Sequence, residues 1–217
     1  MIKAVIFDMD GVIIDSEPVH KWAMNETLKI FEIQPIDFSK PEYLGKTPKS
    51  VFTDLKIKYR LPWSVEELVK HKGNLAMKEM SRMGAIPGVV ELIQELHNKG
   101  YKLVIGSGQD RNIINFVLNK FGIKNLFFGI ISSENYFHPK PDPEVYNKCV
   151  SLLGLQPNEC VVIEDAPNGV NSASAAGIKC VGFNNPSNNG VNLIGADIMI
   201  DNFKELRIDL IKELGGK

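Results

Sequence analysis

The stretch Lys3-Ala4-Val5-Ile6-Phe7-Asp8-Met9-Asp10-Gly11-Val12 decides how the rest of the chain is read. Ala4 to Phe7 make a short apolar run. A run this short, ended by acid and glycine, fits a core strand of a parallel sheet. Asp8 and Asp10 then stand at its carboxyl end, where open parallel sheets bind ligands. Alternate residues of an extended segment share a face, so both carboxylates are expected to point into one crevice. Gly11 lets the backbone turn sharply after them. Two like charges this close are unfavourable unless a cation or a proton separates them. Alone, Asp-x-Asp-Gly also fits a strand followed by an acidic turn, and three later stretches change the odds.

Outward from this strand the pattern changes twice. Asp15-Ser16-Glu17-Pro18 reads as a helix start, with Ser16 as the cap and Pro18 in the first turn. Helical periods follow over 19–31, over 49–59 with Val51, Phe52, Leu55 and Tyr59 on one face, and from the Ser64-Val65-Glu66-Glu67 capping box to Arg82. Residues 16–83 therefore read as helices only. From Ile86-Pro87-Gly88 onward, apolar strands at 102–106, 126–132, 160–163, 179–183 and 198–200 alternate with helical stretches at 89–98, 111–121, 143–153 and 170–176. Such alternation implies right-handed crossovers and a parallel sheet covered on both faces. The expected fold is α/β: a Rossmann-like, doubly wound parallel sheet core from residues 1–15 and 84–217, with an inserted all-helical cap domain at 16–83. The asparagine-rich stretch 184–195 reads as a mobile loop.

Composition narrows the classes. The 217 residues are 44% apolar and 24% charged, ordinary for a globular chain with a core. Twenty-five basic residues against 26 acidic ones give a net charge of −1, with no pull toward nucleic acid or an anionic membrane. Cys149, Cys160 and Cys180 are odd in number and lack metal-type pairing, so they read as reduced, mostly buried thiols. The chain enters its first strand without a signal peptide, and no apolar run approaches the roughly 18 residues needed to span a bilayer. A cytoplasmic protein is expected.

The polar residues that follow the strands share one edge of such a sheet. Asp8 and Asp10 follow the first, Ser107 follows Val104-Ile105-Gly106, and Glu164 and Asp165 follow Val161-Val162-Ile163. Lys140 lies in the proline-stiffened loop His138-Pro139-Lys140-Pro141-Asp142-Pro143. Carboxylates, a hydroxyl and a lysine together suit an oxyanion handled with a hard divalent cation, and Mg²⁺ prefers carboxylate oxygens and water. Ser107, the Gly108 amide and Lys140 can hold phosphate oxygens. With charge neutralised, Asp8 is the candidate nucleophile, forming an aspartyl-phosphate. Asp10 can protonate the leaving oxygen and then take a proton from water, help worth roughly 10²–10⁴ in rate.

Asp8-Met9-Asp10-Gly11-Val12, Ser107, Lys140-Pro141-Asp142-Pro143 and Ile163-Glu164-Asp165-Ala166-Pro167-Asn168-Gly169-Val170 resemble the four motifs of the haloacid dehalogenase-like hydrolase superfamily, in order and spacing. The resemblance covers essentially the whole chain. It implies Asp8 as nucleophile, Asp10 as general acid/base and Ser107 and Lys140 as phosphate holders. It also implies Mg²⁺ bound by Asp8, the Asp10 backbone carbonyl, Glu164 and Asp165. The second aspartate and the metal acids exclude the dehalogenase branch.

In this family the cap is expected to choose the substrate, with candidates His20 and Trp22 on its first helix and Gly45, Lys46 and Thr47 on a loop. His20 and Lys46 are carried as substrate contacts, although a packing role for His20 is as frequent. Trp22 and Trp63 read as cap core, and Lys49, Lys72 and Lys78 as a solvated helix face. Asp15-Ser16-Glu17-Pro18-Val19-His20 resembles the β-phosphoglucomutase branch, but the position of that branch's phosphate-gripping cap-loop arginine is Pro48 here. Leu44-Gly45-Lys46, Leu61 to Val69 and Glu164 to Val170 are similar to pseudouridine-5′-phosphatase-like and small sugar-phosphate phosphatases. The expected function is Mg²⁺-dependent hydrolysis of a small phosphorylated metabolite, a sugar phosphate or nucleoside monophosphate. The alternatives are a phosphosugar mutase and a non-catalytic phospholigand-binding module. The motif set needs only one subunit, so a monomer is expected.

Overall fold

A computed structural model describes residues 1–40, 42–43, 46–188 and 191–216. The chain divides into two compact units, Met1–Asp15 with Gly84–Lys217, and Ser16–Met83.

The first unit is built on a six-stranded sheet: β1 (Ala4–Phe7), β2 (Lys102–Gly106), β3 (Gly129–Ile131), β4 (Cys160–Glu164), β5 (Lys179–Phe183) and β6 (Ile198–Ile200). All pairings are parallel and the spatial order is β3-β2-β1-β4-β5-β6. The chain winds outward from β1 to β3, then returns to place β4 on the other side of β1. The order reverses between β1 and β4, which is where doubly wound sheets open a crevice. Phe7 pairs with Ile163, so the residues after each strand emerge side by side.

β1 is buried along its whole length, as its unbroken apolar run requires. Ala4, Ile6, Val104, Val162 and Cys180 pack with Tyr146, Cys149, Val170 and Ala173 of the helices α6 (Glu144–Leu153) and α7 (Pro167–Ala175). Val5, Phe7, Leu103, Ile105 and Ile163, of alternate parity, are equally buried and belong to the opposite face. The helix α4 (Val89–Asn98) packs on β2, followed in the chain by α5 (Arg111–Lys120) and, at the far end, α8 (Ile208–Leu214). The three cysteines are buried and free.

Several boundaries differ from the sequence reading. The strand expected over 126–132 is only Gly129–Ile131, because Lys124–Leu126 closes a 3₁₀ turn. α7 begins at Pro167 rather than 170, since proline without an N–H fits a first turn. The short helix α8, anchored by buried Ile208 and Ile211, has no counterpart in that reading.

The second unit holds α1 (Glu17–Lys29), α2 (Pro48–Tyr59) and α3 (Val65–Met80). Its core is Met24, Leu28, Phe38, Val51, Phe52, Leu55, Leu61 and Leu68. The Ser64–Glu67 capping box is present. Ser16, expected to cap α1, makes no side-chain cap bond because its backbone is already in the helical region. Among the described residues no helix is long and apolar enough to cross a membrane.

Candidate active site

The acids meet at the β1/β4 crevice. The Asp8 N–H donates to Ile163 O at 3.0 Å and continues the ladder one residue past the strand. The turn that follows is tight: the N–H groups of Val12, Ile13 and Ile14 all point at Met9 O, at 3.3, 2.8 and 3.2 Å. Gly11 has φ +77°, and a Cβ there would lie 1.8 Å from Asp165 Oδ2. Glycine is thus needed for the backbone and for the space that the Asp165 carboxylate fills.

Lys140 ties the cluster together. Its Nζ donates to Asp8 Oδ1 at 2.6 Å, to Glu164 Oε1 at 2.6 Å and to Gly106 O at 3.1 Å. Three acceptors take the three ammonium protons. Glu164 is 1% exposed and fully engaged. Its Oε1 also accepts the Tyr146 hydroxyl at 2.6 Å, and its Oε2 accepts the N–H groups of Asp165 and Ala166 at 3.1 and 3.3 Å. A Cβ on Gly169 would lie 1.8 Å from that carboxylate. Asp165 Oδ2 accepts Asn188 Nδ2 at 2.5 Å. One ligand oxygen each from Asp8, Glu164 and Asp165 lies within 4.8 Å of the others.

Ser107 is buried at the end of β2, where its N–H donates to Ile131 O at 3.0 Å and its Oγ accepts the Gln109 N–H at 3.1 Å. Gly108, next to it, is exposed. Lys140 Nζ on Gly106 O brings the lysine to this same strand end. Asp10 is half-buried and stands outside the three-acid group, near enough for its charge to act on Asp8 and Asp165.

Charge follows from this crowding. Burial foremost, then Glu164 and Asp10, pushes the Asp8 carboxyl up, against the pull of Lys140. Burial also raises Asp165, with Glu164 and Asp8 adding to it. Burial works to lower Lys140, but Asp8 and Glu164 outweigh it and hold the ammonium protonated. Three ionised carboxylates against one ammonium would leave an excess of negative charge, so without a cation Asp8 and Asp165 hold on to protons. A hard divalent cation fits this donor set.

Residues 5–183 match the family of haloacid dehalogenase-like hydrolases. The chain belongs to that family. Hexitol phosphatase B of Escherichia coli is 31% identical, the match covering 94% of each chain. β-Phosphoglucomutase of Bacillus subtilis is 27% identical over 98% of this chain and 95% of its own. The crystal structure of β-phosphoglucomutase from Clostridium difficile superposes with a TM-score of 0.82 at 27% identity, covering 99% of this chain and 97% of that one.

The substrate contacts expected on the helical unit of this dehalogenase-like chain fall in varied places. His20 is buried, its Nδ1 2.7 Å from Lys72 Nζ. Lys72, read as solvated, is 2% exposed, because it lies on the side of α3 packed against α1. Lys46 is exposed and pairs with Asp54 at 2.8 Å. Gly45 lies outside the described residues. Trp63 packs edge-on against Phe31 at 5.2 Å, whereas Trp22, expected in the core, is 41% exposed. Two residues went unnoticed in the sequence. Tyr146 carried a signal, a hydroxyl on an otherwise apolar helix face that needs a partner when buried. Asn188 carried only the loop-like composition around it.

Proposed function

We propose that this chain hydrolyses the phosphomonoester of a small phosphorylated metabolite, with Mg²⁺, through an aspartyl-phosphate on Asp8. The observation that carries the reading is Lys140 bridging Asp8 and Glu164 beside Asp165 at the sheet's crevice. A phosphate monoester repels an anionic nucleophile, and this arrangement sets a cation against the attacking carboxylate.

Asp8 attacks phosphorus, and the phosphoryl group moves from the substrate oxygen to the Asp8 carboxylate. Asp10 delivers a proton to the leaving oxygen and later takes one from the water that releases phosphate. Ser107 and the Gly108 amide hold the phosphoryl oxygens. Lys140, expected from the sequence to bind them too, has its three protons on Asp8, Glu164 and Gly106 O and acts on them as a fixed positive charge. Mg²⁺, when bound, neutralises phosphate charge as a Lewis acid. Asp8, Asp165 and the Asp10 backbone carbonyl would hold it. Glu164 belongs to the same cluster, but both its oxygens already accept donors, so its larger part is to fix Lys140.

A sugar or polyol phosphate is the preferred substrate class, since hexitol phosphatase B is among the relatives; a nucleoside monophosphate comes next. The β-phosphoglucomutase relatives keep phosphosugar mutase as a second reading. Against it, Pro48 opens α2 at the position that matches the phosphate-gripping arginine of that branch, and Lys46 is committed to Asp54. The test is a panel of sugar phosphates with and without Mg²⁺. Mg²⁺-dependent phosphate release supports hydrolysis, and no turnover on any substrate sinks it in favour of a binding module. Glucose 6-phosphate forming from β-glucose 1-phosphate and a trace of bisphosphate, faster than free phosphate, would establish the mutase.

A further inference from the structure

The residues after β5 take no part in the chemistry above, yet their side chains reach the turn that follows β1 and the Asp165 carboxylate. Asn185, 4% exposed, donates from Nδ2 to Gly11 O at 3.0 Å. Its Oδ1 accepts the Ser187 N–H at 2.9 Å and its carbonyl accepts the Asn188 N–H at 2.9 Å, so one anchored asparagine shapes the 3₁₀ turn Pro186–Asn188. Ser187 Oγ donates to Asp15 Oδ2 at 2.5 Å. Asn188 Nδ2 donates to the backbone carbonyl of Asp165 at 3.0 Å and to its Oδ2 at 2.5 Å.

A single amide therefore clasps the main chain and side chain of one aspartate. The terminal torsion of an aspartate is broad and nearly two-fold, so its oxygens point as their partners dictate. The space left by Gly11 bounds the carboxylate on one side, and the Asn188 donor fixes its rotation from another. We propose that Asn188 is a positioning residue for the divalent-cation site, holding the Asp165 carboxylate in the rotation that brings it within reach of an ion shared with Asp8. This rests on the metal-dependent reading above. Donors behind a metal-ligating carboxylate typically change metal affinity by about 10–100-fold.

The test is a Mn²⁺ titration of the full chain, with the free ion followed by electron paramagnetic resonance. Asn188→Ala is expected to weaken Mn²⁺ binding by about 10–100-fold. The Mg²⁺ concentration for half-maximal turnover should rise by a similar factor, while KM for the phosphate ester at saturating Mg²⁺ stays near wild type. Ser187→Ala removes a bond of the same turn without touching the cluster and should bind Mn²⁺ as the wild type does. Equal binding by Asn188→Ala and wild type, or an equal loss in Ser187→Ala, overturns the assignment. A wild-type chain that binds no Mn²⁺ overturns the metal reading and this inference with it, and shows that without any substitution. If Asn188→Ala departs from the native circular dichroism spectrum, Asn188→Ser carries the same comparison.

Discussion

Replacing Lys140 by methionine keeps the apolar stem and removes the ammonium that serves Asp8 Oδ1, Glu164 Oε1 and Gly106 O. The side chains of Lys140, Asp8 and Glu164 are 14%, 11% and 1% exposed, so water compensates little. Breaking a buried pair by removing one partner destabilises by about 3–5 kcal/mol. Asp8 and Asp165 are already raised and can take up protons, which places the expected loss for the metal-free chain near the lower end, about 3 kcal/mol. Urea unfolding followed by far-ultraviolet circular dichroism is the assay. Both tryptophans, Trp22 and Trp63, belong to the helical unit, so their fluorescence reports on the other unit. Glu164→Gln in the same background should restore part of the loss by removing one like charge, with a coupling of about 0.5–3 kcal/mol. Turnover should fall by about 10²–10³. A loss under about 1 kcal/mol, additive with Glu164→Gln, would refute the claim that Lys140 compensates this cluster.

Gly11→Ala forces a side chain onto a backbone at φ +77° and onto Asp165 Oδ2, 1.8 Å from the new Cβ. It should lower stability by at least about 1 kcal/mol and abolish tight Mn²⁺ binding, checked by urea unfolding and ion titration. A rise in pH should destabilise the metal-free chain. Burial foremost raises Asp8 from 3.8 to about 8 and Asp165 from 3.8 to about 9, so the folded chain keeps protons that the unfolded chain has released. That stability is fully present below the unfolded value and is lost as pH climbs through the folded ones. The melting temperature in chelator should therefore fall across that window and flatten when Mg²⁺ is added; a flat profile in chelator would count against the crowding.

Most of the sheet was legible because its strands are short, apolar and punctuated. Ala4–Phe7 and Cys160–Glu164 could hardly be anything else once Asp8 and Asp165 followed them. The convergence of Asp8, Lys140, Glu164 and Asp165 followed from strand ends sharing one edge. What stayed hidden depends on packing across long separations. Asn185 reaches Gly11 174 residues away, and nothing local marks that pairing. Lys72 sits on a helix whose charges look solvated, and only the packing of α1 on α3 buries it. Trp22 shows the converse, an aromatic residue whose period suggested core and whose ring is partly exposed.

Transfer of the phosphoryl group to Asp8 is the step from which every other role follows. The chain should be mixed with Mg²⁺ and a turned-over sugar phosphate, quenched in acid within milliseconds and digested for mass spectrometry. A transient gain of one phosphoryl group on the peptide carrying Asp8, absent from Asp8→Asn, is the result expected. Undiminished turnover in Asp8→Asn, or a phosphoryl group on another residue, would contradict it.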